Sequence, residues 1–542
     1  MFENTLSPQE FFARGPVRVP WPVRGDAYTV SSDKIVSSKA KDKSVYNFTN
    51  RRSPVKAFPG VATDHRMVLY GLTDFIQREL TAPDSESDVE LSDSFMSTAN
   101  SFGGGLDFDK DMWLRVVREY NGYLPIKIEA LPQGSTFWAT EPVVQVTSLG
   151  KGFGEIAAMV EAALVGYVSC ATARLTLTRH LLERMRDLVL KYNPGFTKVQ
   201  VDGVAQWMIH DFGMRASSTM AEAEIYGRAH LLVFNGTDTT NAAFQAWVNG
   251  ASRPIGTSIL ALAHRIVMGY ETEQEAYEAI YAASDDNKPI GHIGFGSYVA
   301  DCYDFHNAVK TFLVNIAKRG SRVVVARPDS GDYLENVLFI VEEALKANLY
   351  RVDDQGKPIP TTLRFIQGDS MNYEKICNVI QTLDERLGVN ATGWGIFGVG
   401  GWLRNLPNRD VLSSAYKLSS YGLDNTPSVK LSDTLAKMSV PGPNVIVRPD
   451  YVSDTTVHFA GRGYDRHNQL VTFYNGAHKN IEAFYAPCYE SFNTERHRVL
   501  AGFDSYKGCY NAEGRSPLSR EIREFQRAVM ERHGKQAENY RF

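Results

Sequence analysis

Neither sign of charge dominates this 542-residue sequence: 58 Lys and Arg stand against 62 Asp and Glu, for a net charge of -4. Bulk attraction to nucleic acid is therefore excluded, and any anionic ligand must be held by a local basic cluster. Cysteine is scarce. The five present (Cys170, Cys302, Cys377, Cys488 and Cys509) are scattered without a CxxC pair, which argues against a disulfide framework or a zinc site and fits a reducing compartment. Several signature loops are also missing. No GxxxxGK[ST] loop and no GxSxG elbow occurs, so two large enzyme classes drop out, and the GxGxxG fingerprint fails because Leu403 stands where its third glycine would fall. The longest apolar run, from Ile156 to Ala173, contains Glu161 and falls short of the ~20 clean residues of a membrane span. It is expected as a buried helix and a candidate subunit contact. The opening MFENTLSPQEFF carries Glu3 and Glu10 and no basic-then-apolar leader pattern, and the expected location is cytoplasmic.

What is present is an ordinary globular composition, 43% hydrophobic and 22% charged, in a chain long enough for two large domains or one elaborated barrel. Residues 83–105 are rich in Ser and Asp and end in Gly103 to Gly105, and they read as a surface loop or disordered insertion. From about residue 200 short β-rich runs alternate with helical stretches: 204–210, 230–236, 256–260, 292–301, 322–327, 362–368, 393–398 and 415–419. After Ser330-Gly331, for example, Leu334, Val337, Leu338, Val341 and Leu345 share one helical face. Such alternation implies parallel pairing through right-handed crossovers. The expected fold is α/β: an irregular α/β barrel over 196–429, its site at the carboxyl ends of the strands. Residues 1–195 and 430–542 are expected to build a second, mixed α+β domain.

The residues after each run suit a sugar phosphate. His210-Asp211-Phe212-Gly213-Met214-Arg215 follows the first, Asn235-Gly236-Thr237-Asp238 the second, and His264 comes soon after the third. Asp301, Arg327-Pro328-Asp329-Ser330-Gly331, Gln367-Gly368-Asp369-Ser370 and Gly398-Val399-Gly400-Gly401 end the next four, with Arg409 and Lys417 beyond. Glycines let backbone amides approach phosphate oxygens, arginine adds a bidentate donor, and carboxylates can hold ribose hydroxyls or water-bridged Mg²⁺. Each feature also has a plainer reading: a glycine cluster as a tight turn, His210 and His264 as hydrogen-bonded core histidines. The acidic run Asp107 to Asp111 lacks the glycine and closing Glu of a calcium loop and reads as a solvated turn. Composition and spacing alone reach an α/β barrel enzyme acting on a phosphorylated ligand.

The motifs go further together. YGL at 70–72, LPIKIEALPQG at 124–134, HDFG with Arg215, GTDT at 236–239, His264, RPDSG at 327–331, IQGD at 366–369, FGVGG at 397–401, Arg409-Asp410 and Lys417 resemble, in order and spacing, the nicotinate/nicotinamide phosphoribosyltransferase family of type II phosphoribosyltransferases. The resemblance covers nearly the whole chain. It implies formation of nicotinamide mononucleotide and pyrophosphate from nicotinamide and phosphoribosyl pyrophosphate, in NAD salvage, by a homodimer with shared sites and no nucleic-acid or membrane partner. It further implies that Phe212 and the partner's Tyr28 sandwich the pyridine ring, that Asp238 accepts from the carboxamide, and that Ser258, Ser297 and Arg327 complete that pocket. Asp301, Asp329, Gly368 and Asp369 fall at ribose-binding positions, and Gly400 and Gly401 at the phosphate loop. Arg215 would contact product phosphate, and Arg52, Arg409, Lys417 and Lys430 would reach phosphates across the dimer. Mg²⁺ is the implied cofactor. His264 would take a phosphoryl group from ATP, the possible activating cosubstrate.

The sequence departs from the family pattern where Ala263 stands for a glutamate before His264 and where Leu260-Ala261-Leu262 replaces a Pro-Ala-Ala run. Trp402 in place of a glycine and the 83–105 insertion are further departures. The nearest competing reading is a nicotinate phosphoribosyltransferase, against which Asp238, a carboxylate that should repel nicotinate, and Tyr28 are weighed. A non-catalytic ligand-binding or signalling protein should show damage at acids and phosphate-binding residues, and here they are intact. A paired-carboxylate glycosidase barrel would use Asp329 and Asp369 but leave the glycine loop and basic cluster idle.

Overall fold

A computed structural model describes residues 9, 18–32, 35–102, 105–251, 256–284, 294–405, 408–432, 437–449 and 454–534. The leader reading of the first dozen residues, the start of the 292–301 run and Gly103 therefore lie outside the described residues, apart from Gln9. Two sheets organise the chain.

The first is a six-stranded antiparallel sheet whose order is Thr426–Pro427, Ser414–Tyr421, Ser44–Asn50, Val144–Ser148, Ile126–Ala130, Val471–Asn475. Its strands follow the period-2 rule: Ile126, Ile128 and Ala130 are buried while Lys127 and Glu129 turn outward and pair at 2.7 Å. The apolar run read as a buried helix lies in the Gly154–Met159 helix and the first half of the helix Glu161–Tyr192. The stretch Gly154–Tyr192 is long and apolar enough to cross a membrane by length and composition, yet it serves as a core element. Thr172 and Thr176 on it satisfy the backbone of Tyr70 and Val68, and Arg179 pairs with Glu183 and Asp504 at 2.5 Å each.

The second sheet is parallel and seven-stranded. Its strands are β1 (Ile209–Asp211), β2 (Gly236–Thr237), β3 (Leu260–Ala261), β4 (Gly294–Val299), β5 (Arg322–Arg327), β6 (Leu363–Gln367) and β7 (Gly395–Val399), ordered β2-β1-β7-β6-β5-β4-β3. A parallel bridge from Gly236 to Thr257 joins the two ends, so the sheet closes into an irregular barrel. Alternation sorts its residues. Val324, Ala326, Phe365 and Phe397 pack outward into the main core, whereas Val323, Val325, Ile366, Phe295, Ile396 and Ile259 form a separate cluster inside, with Phe212 against it.

The structure corrects several expectations. The eighth run, 415–419, pairs antiparallel with Ser44–Asn50, so the parallel sheet ends at Val399 and the barrel stops well short of 429. Run 204–210 begins in the helix Lys198–Ala205, and run 230–236 begins at the end of the helix Met220–Leu231; helical burial of apolar residues mimics a short strand there. Most of the 83–105 insertion is a helix, Glu86–Ser101, started by a capping box of Ser85 and Asp88. Val89, Ser92 and Met96 form its buried stripe. Asp109 in the acidic run caps the next helix, Lys110–Tyr120, by accepting from the Met112 amide.

Candidate active site

The carboxyl ends of the barrel strands bring most of the expected residues onto one rim. Because Val323 and Val325 face inward on β5, period 2 sends Arg327 to the same side, at the strand's last residue. Its guanidinium grips Asp329 Oδ1 through Nη2 at 2.7 Å and Nε at 3.2 Å. Ser297, two residues past Phe295 on β4, is buried there as well. Ser258 donates to Asp238 Oδ1 at 2.5 Å. Burial raises the Asp238 carboxyl above its ordinary range, offset by the Ser258 hydrogen bond and the charge of Arg327.

His264 opens the short helix His264–Val267, and Ala263 offers it no side-chain cap. Two aspartates flank its ring. Nε2 lies 3.1 Å from Asp301 Oδ1, and Nδ1 lies 3.8 Å from Asp329 Oδ2. Ser330 donates to the other oxygen of Asp301 at 2.5 Å. The imidazole is 42% exposed, which separates it from the core histidines. His210, His230 and His180 are buried, and burial lowers them to about 3, about 4 and about 4. His210 is thus a core histidine, without a side-chain hydrogen bond among the described residues, whereas His264 is hydrogen-bonded but not in the core.

Phe212 lies over the glycine-rich strand. A Cβ on Gly398 would sit 2.2 Å from the Phe212 ring, one on Gly368 3.1 Å from it, and one on Gly400 3.0 Å from its carbonyl oxygen. Those glycines make room for the ring. Asp211 directly beneath is fully buried and receives both Arg404 contacts, at 2.7 and 2.9 Å, with the Gly213 amide at 2.9 Å and Thr239 at 2.9 Å. Burial pushes its carboxyl up, but Arg404 and these donors hold it below the usual range. Arg404 was not singled out in the sequence; its signal is an arginine four residues beyond Gly400. Ser330 is marked in the sequence only as part of RPDSG. Asp369 closes the β6 end, its amide bonded to Gln367 Oε1 at 2.9 Å, and Arg215 is exposed on the turn Met214–Ala216.

Of the remaining expected residues, Lys417 stands on the antiparallel sheet and the others on segments around it. Tyr28 is 73% exposed on the short helix Ala27–Val30, which packs on the Gly154–Met159 helix. The amides of Arg51 and Arg52 bond Leu412, and Arg409 crowds Arg51. Lys417 reaches Glu161 at 3.2 Å, and Lys430 is exposed. Below the rim a cavity of about 320 Å³ runs down the barrel from Ser258 and Ile259 past Phe295, Val325 and Ile396 to Arg364. Its walls are apolar with polar groups at the ends, a fitting shape for a flat ring.

A parallel barrel with Arg, Asp and His at its carboxyl ends and glycines packed under Phe212 is the fold class of the type II phosphoribosyltransferases. Residues 207–437 match the Nicotinate phosphoribosyltransferase (NAPRTase) family. The chain is 25% identical over 367 residues to the nicotinamide phosphoribosyltransferase of Xanthomonas campestris pv. campestris (strain 8004), spanning 66% of this chain and 73% of that protein. It is 24% identical over 437 residues to that of Mycoplasma pneumoniae, spanning 74% and 89%. In fold it resembles human nicotinic acid phosphoribosyltransferase, with a TM-score of 0.57 at 14% identity over 94% of this chain and 100% of that one. A nicotinate-nucleotide pyrophosphorylase from Pyrococcus furiosus gives 0.56 at 15% identity over 94% and 99%. These matches support a phosphoribosyltransferase, a transferase of NAD biosynthesis.

Proposed function

We propose that the protein joins nicotinamide to the ribose of phosphoribosyl pyrophosphate, releasing pyrophosphate and forming nicotinamide mononucleotide. The observation that carries this reading is Asp238, a carboxylate on the rim that accepts from Ser258, itself a wall residue of the apolar cavity. A carboxylate accepts from a carboxamide NH₂ and repels a carboxylate, so the amide is the favoured base. Phe212 supplies one aromatic face, Ser297 lines the rim, and Arg327 is within the family's pocket set.

In the reaction the pyridine nitrogen forms a bond to the ribose anomeric carbon while that carbon's bond to the pyrophosphate oxygen breaks. The nitrogen has no proton to lose, so positioning and electrostatics carry the rate. Asp301, Asp329, Gly368 and Asp369 hold the ribose, Gly400, Gly401 and Arg215 the phosphate. Tyr28, Arg52, Arg409, Lys417 and Lys430 enter from a second subunit, whose site is completed in turn. Asp301 and Asp329, hard oxygen donors on the rim, would hold Mg²⁺ beside the pyrophosphate. When bound, it balances the charge of the leaving group. ATP coupling runs through His264: the γ-phosphoryl moves to an imidazole nitrogen as ADP leaves, and water later releases it. Asp301 and Asp329 orient that ring without the glutamate that Ala263 replaces. The reading includes a cytoplasmic homodimer.

Nicotinate as the base is the second reading, favoured by the name of the matching family. Purified protein with Mg²⁺, phosphoribosyl pyrophosphate and either base, with and without ATP, decides between them. Mononucleotide from nicotinamide, increased by ATP, is the expected result. Product mainly from nicotinate overturns the role of Asp238, and product from neither overturns the transfer.

A further inference from the structure

Opposite the catalytic rim, the barrel's amino-terminal mouth opens into a second cavity of about 580 Å³. Its walls are the loop after the long helix, the hairpin of Tyr350–Val352 and Pro358–Pro360, and the start of β6. Two arginines face it. Arg351 projects from the hairpin, and Arg364, two residues before Ile366 on the inward face of β6, borders both this cavity and the one inside the barrel.

Among the described residues neither guanidinium has a protein hydrogen bond or ion pair, and the buried Nε of Arg364 lacks an acceptor. Burial, and then the charge of Arg351, holds Arg364 below the ordinary arginine value. The acids in the same wall do not neutralise them. Asp353 is occupied by Asn390 Nδ2 at 2.8 Å and by the Gln355 and Lys357 amides at 2.9 Å each, and Asp354 is exposed at the edge. Holding a half-buried guanidinium without an acceptor, beside a second like charge, costs free energy that a bound anion would return. Two planar N–H forks match a doubly charged oxyanion better than one carboxylate. The cavity is far larger than a phosphate, and Phe196 and Ile359 offer apolar surface beside the arginines.

We propose that Arg351 and Arg364 form an anion site, separate from the catalytic rim, for a phosphate group, with room for a small phosphate monoester. The proposal stands apart from the choice of base, and its test reads binding instead of transfer.

Arginine modification by phenylglyoxal, mapped by peptide mass spectrometry on the intact protein, tests it. Inorganic phosphate or adenosine monophosphate should each slow reaction at Arg351 by about threefold or more at saturating concentration, relative to sodium chloride of equal ionic strength. The lower effective concentration of the two identifies free phosphate or an ester as the better ligand. Arg364 should be protected in parallel, and Arg351→Gln should abolish that protection while pyrophosphate still protects Arg215. Radiolabelled phosphate counted by equilibrium dialysis should fall by one per chain in Arg351→Gln/Arg364→Gln of unchanged circular dichroism. Equal reaction rates at Arg351 with phosphate, monoester and chloride overturn the proposal, as does an unchanged count in the double variant.

Discussion

Ser258 and Asp238 face each other across the rim between β2 and β3, hydroxyl to carboxylate at 2.5 Å. The bond leaves the second carboxylate oxygen for a ligand and fixes where it points. Asp238→Asn keeps the shape but removes the charge and brings an NH₂ group. A charge-assisted hydrogen bond is worth roughly 1.5–3 kcal/mol, so kcat/KM for nicotinamide should fall about 10–100-fold. The same change should raise kcat/KM for nicotinate, because the repulsion is gone. Parallel kinetics on the two bases measure both effects; an equal fall for both would mean that Asp238 does not select.

Phe212 and Gly398 make a second prediction. A Cβ at 398 would lie 2.2 Å from the ring, closer than any real contact, so Gly398→Ala must move Phe212 or the strand. Overpacking of this kind costs about 1–3 kcal/mol. The stacking face for the base should be lost with it, and KM for nicotinamide should rise about tenfold or more. KM for phosphoribosyl pyrophosphate should change less. Titration of both substrates separates this outcome from general unfolding, which would lower active enzyme without altering either KM.

The division of the site between two sheets predicts complementation. Tyr28 is exposed on one part of the chain while Phe212 sits on the barrel rim. If they meet only across a dimer, Tyr28→Ala and Phe212→Ala should each lose most activity alone. Unfolded together and refolded, they should recover about a quarter of wild-type activity, since about half the dimers are mixed and each mixed dimer has one intact site. Activity that stays at the level of the parents would place both residues in one subunit's site or in none.

How far the sequence carries depends on the kind of signal. The inward period of Val323, Val325 and Arg327 is visible in RVVVAR, and so the rim residues of β5 could be placed. The glycines at 398 and 400 were legible as a loop, but their function as the floor for Phe212 depends on a ring from β1, which no local pattern reveals. The helix Glu86–Ser101 was misread because Ser and Asp composition outweighed the Ser85–Asp88 capping signal. AYKLS looked like its neighbours because a strand's own pattern does not tell parallel from antiparallel partners. The Asp211–Arg404 pair joins residues 193 apart in the chain, and such a distance leaves no trace in a single sequence. The roles proposed for Asp238 and His264 come from the family resemblance, which periodicity could not supply.

His210 gives a prediction about pH. It is 6% exposed, and burial, then the charge of His230, lowers it from 6.5 to about 3. The unfolded chain takes up a proton below about pH 6.5, whereas the folded chain leaves His210 neutral until about pH 3. Through that interval the unfolded state binds more protons, so the stability present above pH 6.5 is lost as pH falls. His210→Phe, similar in size and unable to titrate, removes this contribution but not those of His180 and His230. Urea unfolding at pH 6.5 and pH 5 should therefore show wild type losing about 2 kcal/mol more than the variant, at about 1.4 kcal/mol per pH unit. Equal losses would mean that His210 is protonated in the fold, with an anionic partner that its surroundings must then supply.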